Sequence, residues 1–409
     1  MKINNKTLWI INEYAGAPAY GMELRHYYIS KELARKNYNV FIITASFSHL
    51  LSTPKDLKKD YELEKIDGVN YVWIKTLKYK NAHSLKRILK WFQFSTRLYF
   101  LQFKKFIERP DFIIASSPEI LHLVPSFLLS KKFKSKFIFE VRDIWPLSLI
   151  EVGSLKNKNP LIFLMKKIER FAYKNADCVV SLLPNIESYL IENKVHVKKL
   201  VLIPNGIDKK EYDNIEKLDN KITSLIPGNR FIVTYAGTFG AANALEYLLK
   251  AASLLKDYKD IHFILVGKGM EENNLKELAK DLELSNISFI PPVSKNQVQG
   301  ILKLCNVCYI GWKKEKIYKY GISANKIFDY MYSEKPILHS YSGKADLIKQ
   351  ANCGITVEAE NPEVIADAIL KLYNMPEEQR NILGKNGKEY VLKYHTFEKL
   401  AEKFEEILV

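Results

Sequence analysis

The feature that most constrains the fold of this chain is a series of strand-sized apolar runs separated by helical patterns, which occurs once, is broken by a polar stretch, and occurs again. Runs at 8–12, 40–44, 71–75, 112–116, 137–141, 179–183 and 200–204 are bounded by turn residues and read as strands. Apolar spacings of three and four residues predict helices over 22–36, 84–107, 119–132, 161–174 and 186–193. After Asp208 the sequence is polar and charged as far as Asn229 and reads as a linker. A second series then runs through 231–236, 263–266, 287–290, 307–310, 336–339 and 355–357, with helices over 245–256 and 275–282. Strands that alternate with helices form parallel sheets covered on both faces. The expected fold class is therefore α/β, with two tandem doubly wound parallel-sheet domains of the Rossmann-like kind. The expected boundaries are 1–208, a linker at 209–229, 230–390, and a C-terminal helix at 391–409 packing back on the first domain. A chain of 409 residues is also too long for one ordinary core.

Charge narrows the partners. The formal net charge of +16 points to anionic ones: nucleic acid, a phospholipid surface or phosphorylated substrates. Between Lys75 and Arg109, ten Lys or Arg stand against one acidic residue, Glu108, interleaved with Trp91, Phe92, Phe94, Tyr99, Phe100, Phe103 and Phe106. A basic, aromatic-rich amphipathic helix over 84–107 suits the interface of an anionic membrane. It equally suits a crossover helix packed on a sheet, because Leu85, Ile88, Phe92, Tyr99, Phe103 and Phe106 make a core-facing stripe at helical spacing. No nucleic-acid-binding motif accompanies the charge, so nucleic acid is not an expected partner. No apolar run reaches the roughly 18 residues of a spanning helix. The N-terminus has the pattern of neither a secretory signal nor a transit peptide, so a cytoplasmic location is expected. Four cysteines are too few for a disulfide framework. Cys305 and Cys308 have CxxC spacing, but a zinc site needs a second pair and Cys178 and Cys353 stand alone, so packing cysteines and no metal are expected.

Ligands of doubly wound sheets sit beyond the carboxyl ends of the strands, which directs attention to the loops there. The stretch GISANKIFDYMYSEKPIL, from Gly321 to Leu338, turns from loop into helix. Ser323 and Asn325 offer N-cap chemistry, and the helix start presents N–H groups to an anion with Lys326 beside them. Asp329 shares that face one turn on and is suited to accept from vicinal hydroxyls, so one turn would hold a phosphate and a ribose. The bland alternative is a solvated Lys/Asp pair. In YAGTFGAAN, Gly237, Thr238, Phe239 and Gly240 precede a helix in the manner of a phosphate cradle, although glycines there also serve turn geometry. Gly267, Lys268 and Gly269 give GxG, but Glu272 stands where a dinucleotide fingerprint needs its third glycine. No P-loop is present, so NAD enzymes and P-loop ATPases are both disfavoured. In the first domain, Gly16 and Gly21 follow the first strand, and Arg142 and Asp143 follow the strand FIFEV. Such a pair fits a catalytic or substrate-orienting carboxylate, or an ion pair that fixes its loop.

Together YGMELR at 20–25, FEVRDIWP at 139–146, PNGID at 204–208, YAGTFG at 235–240 and SANKIFDYM at 323–331 resemble the retaining glycosyltransferases of family 4, of GT-B architecture. The resemblance spans essentially the whole chain, and especially concerns the branch that builds O-antigen and capsule repeats, including N-acetyl-L-fucosamine transferases. It implies a nucleotide-sugar donor bound mainly by the second domain, an acceptor bound mainly by the first, and catalysis in the cleft without a metal or other cofactor. The absence of any Asp-x-Asp accords with that. Carried over, Lys326 neutralises the departing diphosphate, Asp329 holds the ribose, and Gly237, Thr238, Phe239, Gly240 and Asn243 form the phosphate loop. Gly267, Lys268, Gly269, Val293, Ser323 and Asn325 complete the donor side; Gly21, Glu23 and Arg142 line the acceptor side, and Asp143 lies near the reacting sugar.

Two departures matter. A loop Arg and Lys of many relatives correspond to Thr238 and Asn243, which shifts charge compensation onto Lys326, and the first of the family's paired glutamates corresponds to Gly321. The implied activity is transfer of a hexosamine or deoxyhexosamine from a UDP-sugar to a polyprenyl-diphosphate-linked sugar, at the inner face of the cell membrane. The alternatives are a UDP-sugar 2-epimerase of the same architecture and a non-enzymatic peripheral membrane protein that binds nucleotide-sugar. The basic aromatic helix and FEVRDIWP favour transfer.

Overall fold

A computed structural model of the chain describes residues 6–21, 24–80, 84–100, 107–151, 155–213 and 215–409. They divide into two compact units, one of Met1–Pro204 with Phe397–Val409, the other of Asn205–Thr396. In the first, the strands are β1 (Thr7–Ile11), β2 (Asn39–Ala45), β3 (Tyr61–Ile66), β4 (Val69–Ile74), β5 (Phe112–Ser116), β6 (Lys136–Val141), β7 (Cys178–Ser181) and β8 (Leu200–Leu202). They form one sheet in the order β3-β4-β2-β1-β5-β6-β7-β8, parallel throughout except for β3 against β4. Strand β1 shows why both faces are covered: Leu8 and Ile10 enter one core with Tyr28 and Leu33 of the Arg25–Arg35 helix. Trp9 and Ile11 enter the other, with Phe94 and Leu98 of the Leu85–Phe100 helix.

Strand β3 is absent from the strands expected above. It is an edge strand, YELEKI, with no buried residue, so hydrophobic periodicity does not reveal it. The signal lies in the turn that follows, where Asp67 and Gly68 adopt φ of 47° and 86°, the left-handed pair of a two-residue hairpin.

The second unit is all parallel: β9 (Phe231–Ala236), β10 (Ile261–Val266), β11 (Ile287–Ile290), β12 (Val307–Gly311), β13 (Ile337–Ser340) and β14 (Gly354–Val357), in the order β11-β10-β9-β12-β13-β14. Strand order reverses between β9 and β12, and a doubly wound sheet opens its ligand crevice at such a point. Along β9, Phe231, Val233 and Tyr235 enter one core while Ile232 and Ala236 enter the other.

Three expectations need correction. The stretch 209–229 is not a bare linker: it carries helices Lys209–Asp213 and Asn220–Thr223, and Tyr212 is buried in the core of the second unit, with Leu218, Ile222 and Ile226 packed against it. The C-terminal segment divides later than residue 391, because the Glu377–Tyr394 helix belongs to the second unit. Only Phe397–Glu405 packs on the Arg25–Arg35 helix, through Tyr28 and Phe397 rings stacked 4.7 Å apart and a Lys36–Glu405 pair at 2.6 Å. The Leu85–Phe100 helix turns Lys90, Trp91, Phe94, Ser95 and Leu98 inward, so Leu85, Phe92 and Tyr99 stand exposed instead of forming the core stripe. Phe103 and Phe106 lie outside the described residues. All four cysteines are free and buried, Cys305 and Cys308 with their sulfurs 3.7 Å apart.

Candidate active site

In the second unit the loops after β9 and β12 meet at the reversal of strand order. The β9 loop rests on the loop after β10, with Phe239 N–H donating to the Lys268 carbonyl at 2.9 Å and Glu271 N–H to the Phe239 carbonyl at 3.0 Å. A Cβ on Gly267 would lie 1.9 Å from the Gly237 oxygen, and one on Gly269 2.1 Å from the Phe239 oxygen. These two glycines therefore permit one loop backbone to lie on another, and their turn buttresses the loop after β9. Lys268 is exposed between them. The Phe239 ring is buried with Tyr235 and Phe289. A Cβ on Gly237 would stand 3.4 Å from Lys326 Nζ, whereas one on Gly240 would meet nothing nearer than 3.7 Å.

The Asn325–Tyr332 helix begins differently from the expected cap. Ala324 holds the N-cap position and no side chain caps the helix. The Ser323 Oγ accepts the Asn205 N–H at 2.9 Å, and the Ser323 carbonyl accepts Asn205 Nδ2 at 2.6 Å. PNGID thus anchors the loop before the helix, and the first N–H groups of the helix keep no side-chain acceptor, which suits an anion. Beside them, Lys326 Nζ donates to Asn243 Oδ1 at 2.5 Å and to the Tyr235 hydroxyl at 2.9 Å. It lies 4.7 and 5.5 Å from the ring centroids of Tyr235 and Trp312. Asn243 Nδ2 and the Tyr235 hydroxyl both donate to the Thr238 carbonyl, at 2.9 and 2.7 Å, so two bridges fix the ammonium to the β9 loop. Burial lowers the Lys326 pKa to about 7, with the Asp329 charge pulling the other way. A cage of neutral acceptors and ring faces holds the ammonium without cancelling it. Lys313 stands near the same loop, but its ammonium pairs with Glu246 and lies 3.9 Å from Glu360.

Asp329 takes a different partner. The Tyr212 hydroxyl donates to Asp329 Oδ1, and Gln299 Nε2 donates to the Asp329 carbonyl at 2.9 Å. Burial raises its carboxyl pKa, against the Tyr212 bond and the charges of Lys295 and Lys326. Val293 follows β11, the edge strand, with β10 and β9 between it and β12, and packs against the core.

In the first unit, Asp143 is exposed and Arg142 partly buried, and their loop hangs on Ser117, whose Oγ accepts the Arg142 and Asp143 N–H groups at 2.8 and 3.1 Å. Gly21 bridges to Leu51 with φ 109°, and a Cβ there would lie 2.7 Å from Ser52 N. Glu23 lies outside the described residues. Arg25 of YGMELR is a buried staple: it pairs with Glu140 at 3.0 Å and donates to the carbonyls of Ile203 and Pro204 at 2.7 and 2.5 Å. Burial pushes the Glu140 carboxyl up, but Arg25, His26 and Ser116 more than offset it and hold it well below the usual range. Sequence reasoning did not find the buried Lys90–Glu13 pair, at 3.2 Å, nor the bond from Trp91 Nε1 to the Tyr14 hydroxyl, at 2.9 Å. Both tie the Leu85–Phe100 helix to the loop after β1, across a separation that no local pattern records. Among the described residues no group of three or more His, Cys, Asp or Glu is placed to hold a metal ion, and no helix is long and apolar enough to cross a membrane.

Two family models match in tandem: Glycosyltransferase Family 4 over residues 20–211 and Glycosyl transferases group 1 over 216–390. Similar relatives include the probable glycosyltransferase WbjE of Pseudomonas aeruginosa, 23% identical over 320 residues that cover 76% of this chain and 78% of that one. Another is the putative colanic acid biosynthesis glycosyl transferase WcaI of Escherichia coli, 24% identical over 280 residues, 66% of this chain and 68% of that one. Among solved structures, sucrose-phosphate synthase from Thermosynechococcus elongatus has a TM-score of 0.74 at 18% identity, over 98% of both chains. Anabaena HepE in complex with UDP-glucose has a TM-score of 0.66 at 12% identity, over 99% of both. Two doubly wound units in tandem and these structural neighbours define an α/β protein of GT-B architecture. The chain belongs to the family 4 glycosyltransferases, and its activity is glycosyl transfer.

Proposed function

We propose that this glycosyltransferase moves a hexosamine or deoxyhexosamine from a UDP-sugar to a polyprenyl-diphosphate-linked sugar, with retention, during assembly of a surface polysaccharide. One observation carries the reading: the Lys326 ammonium is fixed to a glycine loop beside an uncapped helix start, at the strand reversal of a doubly wound sheet. That arrangement fits a diphosphate. As the C1–O bond of the donor breaks, its electron pair passes to the diphosphate, and Lys326 with the helix N–H groups stabilises the charge that grows there. A preorganised donor of this kind is worth about 3–4 kcal/mol of transition-state stabilisation. The acceptor hydroxyl attacks from the same face, and its proton goes to the departing phosphate oxygen.

The backbones of Gly237, Thr238 and Gly240 line the phosphates, with Asn243 orienting Lys326 and the Gly267–Lys268–Gly269 turn supporting the loop. Val293, Ser323 and Asn325 complete the donor side, and Asp329 takes the ribose. On the first unit, Gly21, Glu23 and Arg142 receive the acceptor and Asp143 orients it. The UDP choice is supported by the relative fold of HepE, whose structure holds UDP-glucose, and the polysaccharide role by a relative named for colanic acid biosynthesis. The sugar class follows the resemblance to N-acetyl-L-fucosamine transferases.

The enzyme works on the inner face of the cell membrane, held there as a peripheral protein. Supporting this, the Leu85–Phe100 helix exposes Leu85, Leu89, Phe92, Tyr99 and Phe100, contains no acidic residue and carries Lys86, Arg87 and Arg97. The test is incubation with a panel of UDP-hexosamines and UDP-deoxyhexosamines, a short polyprenyl-diphosphate sugar and EDTA. A product of the donor's own anomeric configuration is expected; an inverted product, or transfer only from a different nucleotide-sugar, overturns the reading.

A further inference from the structure

The carboxylate that the donor reading assigns to the ribose already has a hydroxyl on it. The Tyr212 O–H donates to Asp329 Oδ1, from the Lys209–Asp213 helix that follows PNGID. The phenol is held from behind by Tyr332, ring to ring at 5.0 Å, and Lys295 Nζ lies 5.8 Å from its ring centroid. Beside the pair is a depression of about 30 Å³ lined by Tyr212, Glu211, Lys295, Asn296, Gln299 and Asp329.

We propose that Tyr212 caps Asp329 in the unliganded protein and that the vicinal hydroxyls of a ribonucleoside displace it. The inference rests on the reading of Asp329 as the ribose partner and adds what that residue does before the donor arrives. The exchange gains one bond on the carboxylate: one phenolic O–H leaves it and two ribose O–H groups replace it, one on each oxygen. Loss of the phenol opens the depression next to Asp329 at the first turn of the Lys295–Leu304 helix. Tyr212 thereby sets a threshold that only a ligand with both hydroxyls repays, so it is a specificity-determining residue for ribonucleotides over their deoxy analogues.

The experiment is calorimetric titration of the full chain with UDP and with 2′,3′-dideoxy-UDP, on the wild type, Tyr212→Phe and Asp329→Asn, with thermal melts to confirm folding. Removing the competing O–H is expected to tighten UDP about tenfold, or about 1.4 kcal/mol, while leaving the dideoxy analogue unchanged. The UDP-to-dideoxy ratio therefore widens about tenfold in Tyr212→Phe and collapses in Asp329→Asn. An unchanged ratio, or weaker UDP binding by Tyr212→Phe, overturns the cap alone. No binding of either nucleotide by the folded wild type overturns the donor reading together with the cap.

Discussion

The proposed role of Lys326 predicts that UDP binding depends on pH, in a direction set by the burial of its ammonium. Its pKa is lowered to about 7 by burial, so above neutrality the unliganded site is short of a proton. A bound diphosphate adds negative charge next to the ammonium and raises that pKa, so binding takes up a proton and weakens as pH rises. With an apparent affinity proportional to the protonated fraction, one half at pH 7 and about one in thirty at pH 8.5, the affinity falls about 15-fold across that interval. At pH 7.5 about three-quarters of a proton is taken up for each UDP bound. Of the facing titratable groups, the Tyr235 hydroxyl does not mimic this, because burial pushes it up beyond the interval; burial also pushes the Asp329 carboxyl up, against the Tyr212 bond and the charges of Lys295 and Lys326. UDP itself titrates near pH 6, below the window. Calorimetry in two buffers of different ionisation enthalpy measures both quantities, and Lys326→Arg, charged at every pH, should flatten the profile. A dissociation constant that stays level from pH 7 to 8.5, with no buffer dependence, refutes the reasoning.

Two further outcomes follow from packing and from charge. Gly267→Ala forces a Cβ to within 1.9 Å of the Gly237 oxygen at φ 144°, and should destabilise the second unit by about 2–4 kcal/mol in urea melts while weakening UDP binding. Unperturbed stability would mean the two loops are not in backbone contact. Cosedimentation with anionic vesicles should exceed that with zwitterionic ones, and Leu89→Glu with Phe92→Glu should abolish the difference, since both side chains are exposed. Equal recovery by the double variant would remove the helix from the membrane account.

The interior strands were legible because both of their faces are buried: β1 and β9 are nearly unbroken apolar runs, as parallel strands between two helical layers must be. Strand β3 was not, because an edge strand with one solvated face and no buried residue has no hydrophobic signature, and only the Asp67–Gly68 turn betrays it. Lys326 was legible from its place at a loop-to-helix junction. Its cage was not: Tyr235, Asn243 and Trp312 come from separate segments that only the strand order brings together. The same holds for Tyr212, whose polar surroundings in sequence read as linker although its ring is buried. The packing role of Gly267 and Gly269 was not legible, because close backbone approach demands glycine whether the neighbour is a phosphate or another loop. The face of the Leu85–Phe100 helix was misread for a comparable reason, since it has apolar residues on both sides and spacing alone does not say which side meets the sheet.

The central claim is that Lys326 stabilises the departing diphosphate of a UDP-sugar. The most direct measurement is single-turnover sugar transfer by Lys326→Ala against the wild type, on proteins shown by thermal melts to be equally folded. Loss of one preorganised charge of this kind predicts a rate lower by about 100- to 1,000-fold. Transfer by the folded variant at the wild-type rate would contradict the account.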